Sequence, residues 1–191
     1  MRTYRTGILA VVVGLALGTS ALLGQEKTLS FDNKLTTVHF TLGSTMHAVH
    51  GTFALKSGSL RVDPSSGHIS GTIVVDAKSG DSGNGLRDRK MHSQVLESEQ
   101  YPEITFQPTQ IDGVLAPTGK STVQIRGMFG LHGTSHEISV PATVTMDSGK
   151  WTAALNFHVP YVKWGLKNPS TLFLHADDAV DIEVAASGAY Q

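Results

Sequence analysis

Apolar and polar residues alternate along most of the chain from residue 35 onward. Alternation of this kind places apolar side chains on one face of a β-strand, and Thr, Ser, Lys and His side chains on the other face. Seven runs show it clearly, at residues 38–42, 49–55, 69–75, 123–131, 138–146, 151–159 and 180–184. The pattern predicts a domain made almost entirely of β-strands.

Short turns rich in Asp, Ser and Gly separate these runs, which is typical of an antiparallel sandwich or barrel. Gly51, Gly71 and Gly127 fall on the apolar faces, where glycine is typical of a bend, a bulge or a close approach of another backbone. Ala142 and Ala153 are further small residues on these faces. We therefore expect a strongly curved barrel whose interior keeps open space.

One segment interrupts the alternation. Residues 86–98 contain good helix formers at approximately helical spacing, and Asn84 precedes them as a suitable N-cap. Pro102 disfavours helix at the residue before it, and Ile104 and Phe106 restart a strand. The predicted fold class is all-β, an antiparallel barrel with one short helical insertion near residues 86–98.

The first 24 residues have the layout of a secretory signal peptide. A basic start with Arg2 and Arg5 precedes an uncharged apolar stretch at residues 7–18, and small residues that suit a cleavage site follow. We expect residues 1–24 to be a signal peptide and residues 25–191 to be the folded domain. Because the uncharged stretch approaches the length of a membrane span, an uncleaved anchor stays an alternative. No stable membrane span is expected once the signal is removed.

Charge and cysteine content narrow the function further. Without Arg2 and Arg5 the basic residues fall from 15 to 13 against 16 acidic ones, so the net charge is near −3. A surface that binds nucleic acid needs a clustered excess of basic residues. This chain has no such excess, so nucleic acids are excluded as partners. The chain has no cysteine, hence no disulfide and no lipid attachment through an N-terminal cysteine. We expect an exported protein, periplasmic in a host with two membranes and secreted otherwise.

Asp88 and His92 are the candidates for catalysis. On a helix they lie at positions i and i+4 and can touch, and a carboxylate that orients a histidine is half of a nucleophilic triad. The alternative interpretation, a solvated and ion-paired helix face, is favoured because the chain has no Gly-x-Ser-x-Gly elbow or other nucleophile context. We expect a protein that is not an enzyme and needs no cofactor.

Nine histidines and five methionines leave metal handling as the alternative function. His132 and His136 have the H-x-x-x-H spacing of a helical zinc site, but on a continuous strand they lie about 13 Å apart. Met46, beside His47 and His50, offers a thioether, which suits Cu(I). We assign no metal ligands, and an envelope stress or Cu/Zn-handling protein that uses surface histidines stays open.

Four segments resemble, in order, the YceI-like family. The helical segment LRDRKMHSQVLESEQYPEITF is similar to the family's signature, in which an arginine–aspartate pair and a short helix join two strands. The other three are VHFTLGSTMHAVHGTFALKSGSLRVD, VQIRGMFGLHGTSHEISVPATV and FHVPYVKWGLKNPSTLFLHADDAVDIEV. The resemblance covers residues 29–186. The chain departs from the common pattern at residues 44–50, where histidines and a methionine replace smaller or more basic residues.

The resemblance implies a lipocalin-like barrel of about eight strands with a long apolar pocket, which sequesters or carries a polyisoprenoid or another amphipathic lipid. A barrel of eight strands is either filled by side chains or holds one small ligand. Arg87 is a candidate to hold a phosphate or carboxylate at the mouth, or else to fix the helix by an ion pair. Trp164 is a candidate for the rim, or else plugs the barrel end. The candidate wall residues are Phe40, Val49, Phe53, Ile73, Ile125, Phe129, Leu155 and Phe157.

Overall fold

The computed structural model describes residues 26–191, so the predicted signal peptide lies outside the described residues. Nine antiparallel strands and one short helix, α1 (Gly85–Lys90), make up the fold. The strands are β1 (Lys27–Phe31), β2 (Thr37–Leu42), β3 (Val49–Val62), β4 (Ile69–Asp81), β5 (Glu103–Asp112), β6 (Gly119–Leu131), β7 (Thr134–Asp147), β8 (Lys150–Val159) and β9 (Val180–Tyr190). The predicted all-β class with one helical insertion is confirmed.

The sheet closes on itself into a barrel with eight strand positions. Its order runs β3-β2-β9-β8-β7-β6-β5-β4, and β4 pairs again with β3. β1 and β2 share one position, because β1 pairs with the second half of β3 and the end of β9, while β2 pairs with their other halves. β1 was not predicted, since its five residues contain only two strongly apolar ones, Leu29 and Phe31.

The three glycines that the sequence pattern puts on apolar faces stand where other atoms of the protein approach closely. A Cβ at Gly127 would lie 2.5 Å from Gln107 O and 2.7 Å from Pro108 Cα, beside a register shift in β5. A Cβ at Gly71, whose φ is +117°, would meet the backbone of β3, and one at Gly51 would meet the ring of Phe40. The prediction of a close approach is therefore confirmed. Neighbouring atoms already occupy the space beside these glycines, so any open space in the interior lies elsewhere in the barrel.

Side chains fill the two ends of the barrel differently. At the end formed by the β3–β4, β5–β6 and β7–β8 turns, which we call the turn end, a dense cluster contains Val62, Ile69, Val123, Met146 and Trp151, each at most 3 % exposed. At the opposite end, the mouth end, a smaller cluster includes Phe129, Leu131, Val159, Tyr161 and Leu166. The barrel is therefore closed at the turn end, and any accessible interior must open at the mouth end.

The helical segment begins where the sequence predicts. Asn84 Oδ1 accepts hydrogen bonds from the backbone N–H groups of Leu86 and Arg87, both at 3.1 Å, and so acts as the N-cap. A π-helical turn, Met91–Val95, continues α1, and Leu96 N donates to Met91 O at 2.9 Å. The α-helix thus ends at Lys90, and the π-helical turn carries the helical segment to Val95, three residues before the predicted boundary at residue 98.

His92 and Lys90 fix this segment across the mouth end. The ring of His92 is bonded through Nε2 to Gly80 O at 2.9 Å and through Nδ1 to Ser98 Oγ at 3.1 Å. Lys90 Nζ donates to Pro169 O at 2.6 Å, in the long segment between β8 and β9. These bonds join α1 to β4 on one side and to residues 160–179 on the other.

The close approach at Gly127 predicts a steep cost for any side chain there. Gly127→Ala should lower the free energy of unfolding by about 2 kcal/mol through overpacking, measured by urea denaturation. Gly85→Ala is the matched control, because no atom lies within 4 Å of its added Cβ and alanine is a better helix former. Equal effects of the two substitutions would contradict this account.

Candidate functional site

A cavity of about 450 Å³ opens at the mouth end, and we call it the mouth cavity. Strands β2, β3, β5, β6, β8 and β9 supply its walls, and the helical segment and residues 160–179 supply its cover. Leu86 lines it although 75 % of that residue is exposed, so the cavity reaches the surface beside α1. Its volume falls in the usual range for sites that bind small molecules, and most of its lining residues are apolar.

A second cavity of about 170 Å³, the inner cavity, lies toward the turn end. Its lining is apolar except for Thr36 and includes residues from both core clusters. Four residues line both cavities and so form a constriction between them: Phe53, Ile104, Phe129 and Ile182. The barrel interior is therefore open in two compartments, rather than packed solid.

Nine of the ten predicted binding residues line one or both cavities. Arg87 joins Phe40, Val49, Phe53 and Phe129 around the mouth cavity. The inner cavity is lined by Phe53 and Phe129 together with Ile73, Ile125, Leu155 and Phe157. Their contact with a ligand stays a prediction, but the structure brings them together in the barrel interior.

Trp164 is the exception, since it lines neither cavity. Its ring stacks on the His136 ring, with centroids 4.1 Å apart and an angle of 4° between planes, and it packs on Phe129 at 5.8 Å. This position agrees with the alternative interpretation of Trp164 as a plug. It covers the part of the barrel end beside β6 and β7.

Several lining residues were missed by sequence reasoning. Leu166, Pro169 and Leu174 come from residues 160–179, which have no periodic pattern to place them inside or outside. Lys90 was overlooked, although it stands three positions after Arg87 and therefore shares its helix face. This spacing of three residues was the signal by which Lys90 could have been predicted to line the cavity with Arg87.

The polar groups of the mouth cavity are few and cationic. The Arg and Lys side chains of the lining are Arg87 and Lys90, and no carboxylate appears among the described lining residues. The other polar side chains that line the cavity are those of Ser44, His47, Ser82, Tyr161 and Thr171. Arg87 donates from Nε to Ser82 Oγ and from Nη2 to Ser82 O, both at 2.7 Å. The predicted ion pair that would fix the helix is absent from residues 26–191; Arg87 holds the end of β4 through Ser82 instead.

Asp88 and His92 do not form a catalytic pair. The Asp88 carboxylate accepts hydrogen bonds from Ser82 N at 2.9 Å and from Ser82 Oγ, while both ring nitrogens of His92 are engaged elsewhere. Burial would raise the pKa of Asp88, but the Ser82 hydrogen bonds and the Arg87 charge outweigh it and hold the pKa below its usual value. The carboxylate therefore stays ionised and serves to position β4 against α1.

The histidines named for metal binding lie in separate environments. His132, in the β6–β7 turn, pairs with Glu97 at 2.6 Å, whereas His136 stacks on Trp164 inside the barrel. Within residues 26–191, no three His, Cys, Asp or Glu side chains cluster closely enough to hold a metal ion. Over the same residues, no helix is long and apolar enough to cross a membrane.

Tyr161 braces the cover of the mouth cavity. Its hydroxyl donates to Asp177 O at 2.7 Å, and residue 161 is only 5 % exposed. Burial, together with the nearby charges of Asp178 and Asp177, raises the pKa of Tyr161 to about 12. The neutral phenol is thus the form that the folded barrel favours.

Alkaline titration should detect this shift. Because the pKa in the folded state lies above the usual 10.0, the contribution of Tyr161 to stability is complete below pH 10 and is lost as pH rises toward 12. Tyr161→Phe should lower the free energy of unfolding by about 1 kcal/mol at pH 8 through the lost hydrogen bond, and the difference should narrow above pH 10. Tyrosinate absorbance, compared between the two proteins, reports the transition directly. A constant difference from pH 8 to 11 would rule out the shift.

Comparison with known proteins agrees with this geometry. Similar solved structures include BcnA of Burkholderia cenocepacia (17 % identity, TM-score 0.68, covering 83 % of this chain and 99 % of that one). A polyisoprenoid binding domain from Saccharophagus degradans, implicated in plant cell wall breakdown, has 17 % identity and a TM-score of 0.64, covering 84 % and 98 %. The YceI protein of Campylobacter jejuni has 13 % identity and a TM-score of 0.54, covering 99 % and 98 %.

At these identities the likeness shows the shared fold alone. A search of curated proteins gives no match. The model of the YceI-like domain, in contrast, matches residues 29–187, which includes the whole range of residues 29–186 over which the sequence resembles that family. The chain therefore belongs to the YceI-like family.

Proposed function

We propose that the protein is a non-enzymatic binding protein that holds the hydrocarbon chain of an amphipathic lipid inside the barrel. The mouth cavity is the observation that carries the proposal, because it is open to the surface and largely apolar. Asp88 and His92, the candidates for catalysis, are not among its described lining residues. Apolar chains bind in such a site by leaving water, which needs no directional contacts.

The energetics favour a long chain. Each methylene removed from water contributes about 0.8 kcal/mol, so ten carbons contribute about 8 kcal/mol. Association costs about 4–15 kcal/mol in lost freedom, so a chain of roughly ten or more carbons offsets the lower part of that range. Few polar groups line the interior, and discrimination by headgroup must come from the mouth end.

The isoprenoid class is supported by the family. One similar structure is named as a polyisoprenoid binding domain, and the present barrel has the same fold. A polyisoprenoid or a fatty-acyl chain fits the apolar lining equally well in chemical terms. The bound lipid is identified by organic extraction of protein purified from its native envelope, followed by mass spectrometry. Repeated extraction without any lipid would count against the proposal.

Export completes the proposed role. The basic start and apolar stretch at residues 1–24 are typical of a signal peptide, and a carrier of envelope lipids works outside the cytoplasm. We place the mature protein in the periplasm of a host with two membranes, or outside the cell otherwise. N-terminal sequencing of the exported protein tests the cleavage, with a mature start near residue 25 as the expected result.

Filling part of the mouth cavity should weaken lipid binding. Val49 lines it, and Val49→Phe should weaken binding of an 18-carbon alcohol by at least about tenfold, that is 1.4 kcal/mol, in fluorescence competition. Val114→Phe is the matched control, because Val114 is 83 % exposed and lines neither cavity. Unchanged binding by a folded Val49→Phe protein would place the lipid elsewhere.

Opening the constriction should lengthen the preferred chain. In a series of straight-chain alcohols, affinity should rise with length until the tail meets Phe53 and its neighbours at the constriction. Phe53→Ala joins the two cavities, so the rise of about 0.8 kcal/mol per methylene should continue for several further carbons. Phe173→Ala, at a ring that is 86 % exposed, is the control and should leave the limit unchanged. The same limiting chain length in the wild type, Phe53→Ala and Phe173→Ala would show that the lipid does not enter the inner cavity.

A further inference from the structure

We propose that Arg87 and Lys90 bind an anionic headgroup, a carboxylate or a phosphate, at the end of the lipid chain. The inference rests on the proposed function, because it concerns the polar end of the same cavity. It narrows the ligand from amphipathic lipids in general to single-chain lipids that carry a negative charge.

The two cations share one face of α1. Leu86, Arg87, Lys90 and Met91 all line the mouth cavity, whereas Asp88 and Arg89 do not. Residues three positions apart are neighbours on a helix, so Arg87 and Lys90 stand side by side at the opening. Both are half-buried, and Leu86 beside them is exposed. The pair therefore lies where an apolar wall meets water, which is where a headgroup must sit.

Neither cation is neutralised by an ion pair. Among residues 26–191, no carboxylate oxygen lies within 4.0 Å of a side-chain nitrogen of Arg87 or Lys90. Their hydrogen bonds go to uncharged oxygens of Ser82 and Pro169. Asp88 is the nearest acid along the helix, but it is held by Ser82 and does not line the cavity. The charge of Asp88 thus acts on Arg87 only from beyond Ser82, and cations at an apolar cavity without a direct ion pair favour an anionic ligand.

Both side chains also retain unused donors. Arg87 uses Nε and one hydrogen of Nη2, so Nη1 remains available, and Lys90 uses one of three N–H groups. A guanidinium and an ammonium together match the oxygen pairs of a carboxylate or phosphate. The hydroxyl of Thr171 lines the same cavity and is a further donor for such oxygens, whereas the Ser44 hydroxyl already donates to His47 O at 2.7 Å. The chain of the ligand then runs from α1 toward the constriction.

A matched set of 18-carbon probes tests the assignment on the purified, delipidated protein. Oleic acid, oleyl phosphate and oleyl alcohol share one chain and differ in headgroup, and each displaces a neutral fluorescent probe such as diphenylhexatriene. Both anions should bind at least about tenfold more tightly than the alcohol, as expected for hydrogen bonds to charged groups. The tighter of the two anions identifies the source as a fatty acid or a lipid phosphate.

Variants separate headgroup binding from a structural role. Arg87→Gln and Lys90→Met should each weaken both anions by about tenfold and leave the alcohol within about twofold, while Arg87→Lys should retain most of the preference. Arg89→Gln is the control on the same helix, since Arg89 is exposed and lines no cavity. Thermal melting identifies any variant that loses its fold.

The possible failures are distinguishable. Equal affinity of the wild type for the alcohol and the anions would overturn the headgroup site while leaving the lipid-binding barrel intact. A parallel loss of all three probes in a folded Arg87→Gln protein would show that Arg87 only holds the helix. Failure of all three probes to bind the wild type would overturn the proposed function itself.

Discussion

The pairing of β3 with β4 closes the barrel, and the site exists because of that closure. Without it, the sheet would end in two unpaired strand edges, and the apolar faces would be exposed to water. The pairing runs from residues 52 and 81 at the mouth end to residues 62 and 69 at the turn end, with two register shifts. These irregularities curve the strands enough for eight positions to meet. A closed ring of this size leaves a dry interior that its side chains fill only in part.

The interior and the mouth depend on different interactions. Burial of apolar side chains stabilises the turn end, where the cluster around Met146 and Trp151 excludes water. At the mouth end, hydrogen bonds of Asn84, Lys90 and His92 hold α1 in place instead. Directional bonds fix the cover without filling the space beneath it. The charged segment that suggested catalysis therefore serves to attach the helix to the barrel. Its residues Arg87 and Lys90, which keep unused hydrogen-bond donors, line the cavity.

Alternation along the chain was sufficient to predict all strands but β1, together with most of the inward faces. Because strand side chains alternate strictly, Phe40, Val49 and Phe129 could be assigned to the interior before any coordinates. The Asn84 cap was equally local, since an amide oxygen beside two free N–H groups needs no tertiary information.

What could not be predicted depends on contacts between distant segments. Residues 160–179 have no period, and their cover over the mouth follows from bonds such as that of Tyr161 to Asp177 and from pairing near residue 176. The glycines were correctly assigned to close approaches, but their spacing does not reveal which neighbour fills the gap beside them, so it could not locate the open space of the interior. Trp164 posed the same difficulty, and only its stacking on His136 places it outside the cavity lining.

The inner cavity has a mechanical consequence. Apolar voids of this kind stay dry, so the side chains around its roughly 170 Å³ lack contacts on one side. Unfolding eliminates such voids and reduces the volume of the system, so hydrostatic pressure favours the unfolded chain. A tail that passes the constriction would fill the void and make the barrel less compressible, so occupancy of the deepest compartment would determine how the protein withstands pressure.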